Sequence, residues 1–137
     1  MATLFRMMRT FTNCSLLKMS TNGSNLRINE VNEIQKSMDL LISSNKIMIF
    51  SKSYCPYCER AKRFLSDKLN TIHREDLKIK SLELDLEPNG SIIQELLSKR
   101  LNKQKITVPQ IFINAQHIGG CDDLLTKEQN GELEKLL

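Results

Sequence analysis

The chain is poor in the residues that build disulfide scaffolds, metal clips and membrane spans. Its 137 residues hold only four cysteines, Cys14, Cys55, Cys58 and Cys121, too scattered for the framework of a small secreted protein. A reducing compartment with one working pair fits them better. No second C-x-x-C and no H-x-x-x-H accompanies Cys55-Pro56-Tyr57-Cys58, so a zinc site lacks its other two ligands. The leftover Cys14, Cys121, His73 and His117 are not spaced as ligands, and no metal is expected. No run approaches the ~18 apolar residues of a membrane span. A glycine-rich dinucleotide fingerprint, internal repeats and low-complexity tracts are also missing.

Acids are absent from the first 29 residues, which carry Arg6, Arg9, Lys18 and Arg27. Beyond Asn29 the basic and acidic residues balance at 16 each, so the net charge of +4 belongs to the extension. It marks no nucleic-acid surface on the rest of the chain. The extension is rich in hydroxyls and sets Leu4, Met8 and Phe11 on one helical face opposite Arg6 and Arg9. That acid-poor amphipathic pattern predicts an organellar transit peptide and a mitochondrial address, and it lacks the apolar core of a secretory signal. Met19 offers an internal start that would yield a shorter cytosolic form. Ser20–Asn25 reads as a linker, which divides the chain into an extension over 1–28 and a domain over 29–137. With 40% apolar and 26% charged residues, the composition is that of one ordinary globular domain.

Val31, Ile34, Met38, Leu41 and Ile42 recur at helical spacing, with Asn29 as N-cap and Ser43-Ser44-Asn45 as the stop. Lys46–Ser51 is a continuous apolar run of strand length, suited to the centre of a sheet. A helix is predicted over 56–69, where Tyr57, Ala61, Phe64, Leu65 and Leu69 share a face and Pro56 occupies the first position, which needs no N–H donor. Leu82–Leu86 alternates and reads as a strand. Ile92, Ile93, Leu96, Leu97 and Leu101 give a third helix. Ile111–Ile113 and Gln116–Ile118 flank Asn114-Ala115 as a hairpin, and Leu124–Leu137 carries a helical signal interrupted at Asn130-Gly131. A βαβ unit followed by a hairpin predicts an α/β fold, a four-stranded mixed sheet with helices on both faces.

The C-x-x-C falls between the predicted central strand and a helix. A thiol at a helix start faces unpartnered backbone N–H groups and the positive end of the helix dipole, which favour the reactive thiolate. A second cysteine three residues on lies about one turn away, within disulfide reach. Cys55 is thus the candidate nucleophile and Cys58 the resolving thiol, although the residues alone also allow a structural pair. In Thr107-Val108-Pro109 the proline suits a tight turn with a cis bond, one that could present the Val108 backbone to an extended peptide. Gly119-Gly120-Cys121-Asp122-Asp123 leads into a helix N-terminus, where backbone N–H groups can hold a carboxylate and Asp123 an amine.

Ser51-Lys52-x-Tyr54-Cys55-Pro56-Tyr57-Cys58, Thr107-Val108-Pro109-x-Ile111-Phe112-Ile113 and His117-Ile118-Gly119-Gly120-x-Asp122-Asp123-Leu124 together resemble a dithiol glutaredoxin of the CPYC type. The match covers roughly residues 30–137. The resemblance implies a thioredoxin-like fold and a glutathione site built from Lys52, Cys55, Tyr57, Gln94, Thr107, Val108, Pro109, Cys121, Asp122 and Asp123. Glutathione carries two carboxylates and one amine: Lys52 and Gln94 suit the glycyl carboxylate, the N–H groups of Cys121 and Asp122 the γ-glutamyl carboxylate, and Asp123 the amine. Val108 suits the peptide backbone and Tyr57 the mixed disulfide. The chain departs from the family before Thr107, where Asn102–Ile106 lacks the glycine and arginine of many relatives. Lys105 is a candidate replacement for the missing cation.

By the same resemblance the chain is expected to reduce glutathione–protein mixed disulfides and protein disulfides as a glutathione-disulfide oxidoreductase. Glutathione is its co-substrate, re-reduced by a separate glutathione reductase, and Cys55 and Cys58 are catalytic. Glutathionylated and disulfide-containing proteins are the expected partners, without nucleic acid or membrane, and the protein is expected to be a monomer. The alternative is a carrier in which Cys55 of two subunits and two glutathiones ligate a [2Fe–2S] cluster, a role that Pro56 argues against.

Overall fold

The computed structural model describes the backbone of residues 23–137 and the side chains from Arg27 onward. Cys14 and the predicted targeting segment lie outside the described residues. Packing separates the chain into two units, Met1–Glu33 and Ile34–Leu137. The elements run α1 (Gly23–Ser44), β1 (Ile47–Ser51), α2 (Pro56–Thr71), β2 (Ile79–Glu83), α3 (Gly90–Arg100), β3 (Gln110–Ile113), β4 (Gln116–Gly119), α4 (Cys121–Gln129) and α5 (Leu133–Leu136). Among the described residues no helix is long and apolar enough to cross a membrane.

The four strands form one mixed sheet in the order β2-β1-β3-β4. β1 pairs parallel with β2 and antiparallel with β3, and β3 with β4 antiparallel. β1 is central, and all five of its residues are buried, which is why it reads as an unbroken apolar run. Alternation along it aims Ile47 and Ile49 at one face, where Ala61, Leu65 and Leu69 of α2 and Leu124 of α4 complete a core with Ile111, Ile113 and Leu133. Met48, Phe50 and Phe112 take the opposite face and are fully buried. The rings of Phe50 and Phe112 meet edge to face at 5.9 Å. Buried Met38 and Ile42 of α1 and Ile93, Leu96 and Leu97 of α3 supply the remaining apolar side chains.

Two boundaries differ from the sequence expectation. α1 begins at Gly23 rather than at Asn29, so part of the predicted linker is helical; polar residues such as Ser24 and Asn25 weaken a helix only slightly and do not stop it. β2 spans Ile79–Glu83 rather than Leu82–Leu86. Its limits follow β1, with Ile79 opposite Ile47 and Glu83 opposite Ser51. The Leu84 N–H still donates to the Ser51 carbonyl at 2.8 Å. Beyond it the chain turns, because the Asp85 carboxylate accepts from the Ser53 backbone N–H at 2.9 Å and from the Ser53 hydroxyl.

Three turns shape the ends of the sheet: the β3–β4 hairpin lies at the start of β1, where the Asn114 N–H reaches the Lys46 carbonyl at 2.9 Å, and the other two lie at the end where the motifs gather. Asn114 and Ala115 both have positive φ, 52° and 61°, the pairing of a type I′ hairpin even without the usual glycine. Asn102, with φ 53°, ends α3 in the left-handed conformation while the Lys103 N–H reaches back to the Ser98 carbonyl at 2.9 Å. Asparagine there fills the helix-ending role that glycine usually takes, and this explains how the segment before Thr107 folds without one. The Val108–Pro109 bond is cis, as the turn reading anticipates.

Candidate functional site

Cys55 is the N-cap of α2, extended at φ −90° and ψ 116°, with Pro56 in the first helical position. The Cys58 backbone N–H points at the Cys55 sulfur at 3.4 Å, one of the helix's unpartnered donors supplied to the atom that becomes anionic. Across the site the Cys55 thiol donates to the Val108 carbonyl at 3.7 Å, so the residue before the cis proline faces the reactive sulfur. Cys55 is half-buried, whereas Cys58, a turn inside the helix, is 1% exposed. Both are reduced. Burial first, then the neighbouring Cys55, push the Cys58 thiol up to about 12, against opposing contributions from the Lys52 backbone and the Lys62 charge. The two thiols are therefore chemically unequal: one is accessible and helix-capped, the other is covered and held protonated.

A groove of about 580 Å³ opens beside Cys55. Of the residues expected to form the site, Tyr57, Thr107, Val108, Pro109, Cys121, Asp122 and Asp123 line it. Lys52, Gln94 and Cys55 itself lie outside this lining, and Cys55 meets the groove through the Val108 carbonyl. The Lys52 carbonyl accepts the Cys55 N–H at 3.1 Å, and the Gln94 side-chain amide donates to the Ile106 carbonyl at 3.2 Å, so it braces the segment leading into Thr107. One end of the groove is the start of α4, where the Asp123 carboxylate takes the Gly120 N–H at 2.9 Å. That helix start carries backbone donors suited to an anion, and the acid suits a cation. Gly119 is required there: its φ is +117° and a Cβ would stand 2.2 Å from an Asp123 oxygen. Cys121 is 4% exposed, and burial raises its thiol, with Arg60 opposing and Asp122 and Cys55 adding.

Three groove residues escape the sequence reading. Lys103, rather than Lys105, faces the groove, because the left-handed turn at Asn102 sets its position; no spacing rule marks it. Gln110 is 4% exposed, donates to the Thr107 carbonyl at 2.7 Å and meets His117 Nε2 at 2.7 Å through its own carbonyl oxygen. With the Gln110 amide nitrogen committed to Thr107, His117 must donate from Nε2. Burial lowers the His117 pKa, as does Lys103, with Asp123 opposing. A glutamine flanked by proline and isoleucine at a strand start is the one signal that a buried polar link was to be sought. Among the described residues no three His, Cys, Asp or Glu side chains gather as a metal site.

A C-x-x-C at the head of the first helix after a central strand, facing a cis proline before the third strand of a β2-β1-β3-β4 sheet, defines a thioredoxin-like protein. The glutaredoxin family model matches residues 47–118. Glutaredoxin-1 of Rhizophagus irregularis is 39% identical over 107 residues, covering 78% of this chain and 97% of that protein. Monothiol glutaredoxin-S6 of Oryza sativa subsp. japonica is 47% identical over 96 residues, 70% of this chain and 66% of that one. A buckwheat glutaredoxin–glutathione complex superposes with a TM-score of 0.68 at 35% identity, covering 80% of this chain and 91% of that one. The chain belongs to the glutaredoxin family, and so to the oxidoreductases of the thioredoxin-like superfamily.

Proposed function

We propose that the protein is a glutathione-dependent thiol–disulfide oxidoreductase that reduces glutathionylated proteins and protein disulfides. The observation that carries this reading is the inequality of the two thiols: Cys55 caps α2 and accepts the Cys58 N–H, while Cys58 is covered. Cys55 thiolate attacks the glutathione sulfur of a mixed disulfide, and the protein thiol leaves with a proton. A second glutathione thiolate then attacks the glutathionyl sulfur, releasing oxidised glutathione and restoring Cys55. With a protein disulfide, Cys58 displaces the substrate from Cys55 and closes the internal bridge, which two glutathiones reopen. A separate glutathione reductase maintains the glutathione pool.

In this reading the groove holds glutathione extended along Thr107–Val108, with its γ-glutamyl carboxylate at the Cys121 and Asp122 N–H groups, its amine at Asp123, and Tyr57 beside the mixed disulfide. The glycyl carboxylate faces the cationic side, where Lys103 joins Lys52 and Gln94 as a contact. The buckwheat relative solved as a glutathione complex supports this choice of ligand. Turnover of a glutathionylated peptide with and without glutathione tests it: activity should require glutathione, and Asp123→Ala should raise KM for glutathione severalfold with the fold intact. Glutathione-independent turnover would overturn the reading. Residues 1–18 act as a mitochondrial targeting segment within the extension over 1–28, ahead of the domain over 29–137. A chain starting at Met19 should keep full activity and lose the organelle, and cytosolic retention of the full chain would remove that assignment.

A further inference from the structure

Beside the thiol pair lies an ion pair that the reaction as described leaves unused. Lys62 follows Cys58 by four residues on α2, so the two share a helix face, and its ammonium pairs with Glu83 at the end of β2. Both side chains are largely covered, at 24% and 22% exposure. Glu83 sits opposite Ser51 in the parallel ladder, and Ser51 Oγ and Glu83 Oε2 are both buried without a hydrogen-bond partner. A partly covered ion pair with an unsatisfied oxygen is a poor device for stability, because desolvation offsets its attraction. On the same helix face as the resolving cysteine, it is better explained by chemistry.

The chemistry it can serve is the step that involves Cys58. To close onto Cys55 that thiol must attack as a thiolate, in surroundings 1% exposed where burial disfavours charge. The groups acting on it are Cys55 on its own turn, which opposes ionisation, and the Lys52 backbone and Lys62 ammonium, which favour it. Glu83, from the strand packed beneath, offsets part of the Lys62 charge.

We propose that Lys62, held in place by Glu83, is a positioning residue for the resolving step, its ammonium stabilising the Cys58 thiolate as it forms. The inference rests on the dithiol reading above. In the step, Cys58 loses its proton and its sulfur attacks the Cys55 sulfur of the Cys55–substrate disulfide. The Cys55–Cys58 bond forms, the Cys55–substrate bond breaks, and the departing thiolate takes up a proton. The cysteine pair is oxidised by two electrons and the substrate disulfide reduced by two. Lys62 keeps its proton throughout.

The test mixes reduced full-length protein rapidly with 5,5′-dithiobis(2-nitrobenzoate), which releases one chromophoric thiolate when Cys55 attacks and a second when Cys58 closes the bridge. Lys62→Met preserves the aliphatic stem, and it should leave the first phase unchanged and slow the second about threefold to tenfold. Lys62→Arg should restore the second phase. Glu83→Gln keeps an amide oxygen that accepts from the Lys62 ammonium and so holds it in place, but removes the offsetting charge, and it should close at or above the native rate. Native closure in Lys62→Met, or equal slowing in Lys62→Met and Glu83→Gln, would reduce the pair to a packing role and overturn the proposal. In Cys58→Ser the second phase should vanish; its persistence would sink the dithiol reading itself rather than the role of Lys62.

Discussion

Replacing Gln110 with methionine should both loosen the Thr107–Val108 rim and destabilise the domain, because one side chain serves two partners there. Gln110 is 4% exposed and links the Thr107 carbonyl and His117 Nε2, each at 2.7 Å. Methionine keeps the volume and removes both bonds. A net hydrogen bond is worth about 1 kcal/mol, and a buried orphan costs more. Thr107 is exposed and His117 half-buried, so water recovers part of the loss, leaving about 1–2 kcal/mol. For a domain of this size that lowers Tm by about 5–10 °C. His117→Phe keeps the ring that packs 5.1 Å from Phe112 but orphans the Gln110 carbonyl. In Gln110→Met that carbonyl is already gone, so the two changes together should cost about 1 kcal/mol less than their sum. Thermal and denaturant unfolding of both single variants and the double variant supplies the numbers, and KM for glutathione should rise in Gln110→Met more than kcat falls. Additive losses, or a Gln110→Met protein within about 0.3 kcal/mol of native, would refute the linked-chain argument.

The same histidine gives a pH signature. Burial holds its folded pKa below the ordinary 6.5, so the unfolded chain binds the proton first; stability is full above about pH 6.5 and falls as pH drops below it, a slope that His117→Phe should flatten. Cys58 acts at the other end: its folded pKa is raised from 9.0 to about 12, so its contribution is present below pH 9 and lost as pH rises towards 12. Urea midpoints across that range should decline for the native protein and less for Cys58→Ser. Ala115 holds a left-handed φ of 61° that disfavours a side chain, so Ala115→Gly should stabilise by about 0.5–1 kcal/mol in equilibrium unfolding, and a loss of stability would mean the turn is relaxed as it stands.

Much of this architecture was legible because local and global preferences agree. β1 is buried on both faces and reads as an unbroken apolar run, α2 shows its period and its proline start, and the hairpin sits where Asn114-Ala115 interrupts two strands. β2 was misplaced because its limits come from pairing with β1 rather than from its own residues: Lys80 and Ser81 do not advertise a strand, while Leu86, 70% exposed, mimics one. The start of α1 was missed because nothing in Ser24–Asn25 forbids a helix. At the site, the motif residues around Cys55, Val108 and Asp123 stand out through special backbone needs. Lys103 and Gln110 do not, since one is aimed by a turn and the other earns its place only through contacts made after folding.

The central claim is that one accessible thiol does the exchange and one covered thiol resolves it, and paired assays of two serine variants test it most directly. Cys55→Ser should abolish reduction of both a glutathionylated peptide and a protein disulfide. Cys58→Ser should keep reduction of the glutathionylated peptide, which needs only Cys55 and free glutathione, and lose most reduction of the protein disulfide. Inactivation of both reactions in Cys58→Ser, with either one spared in Cys55→Ser, would reverse the assignment and contradict the role given to the capped end of α2.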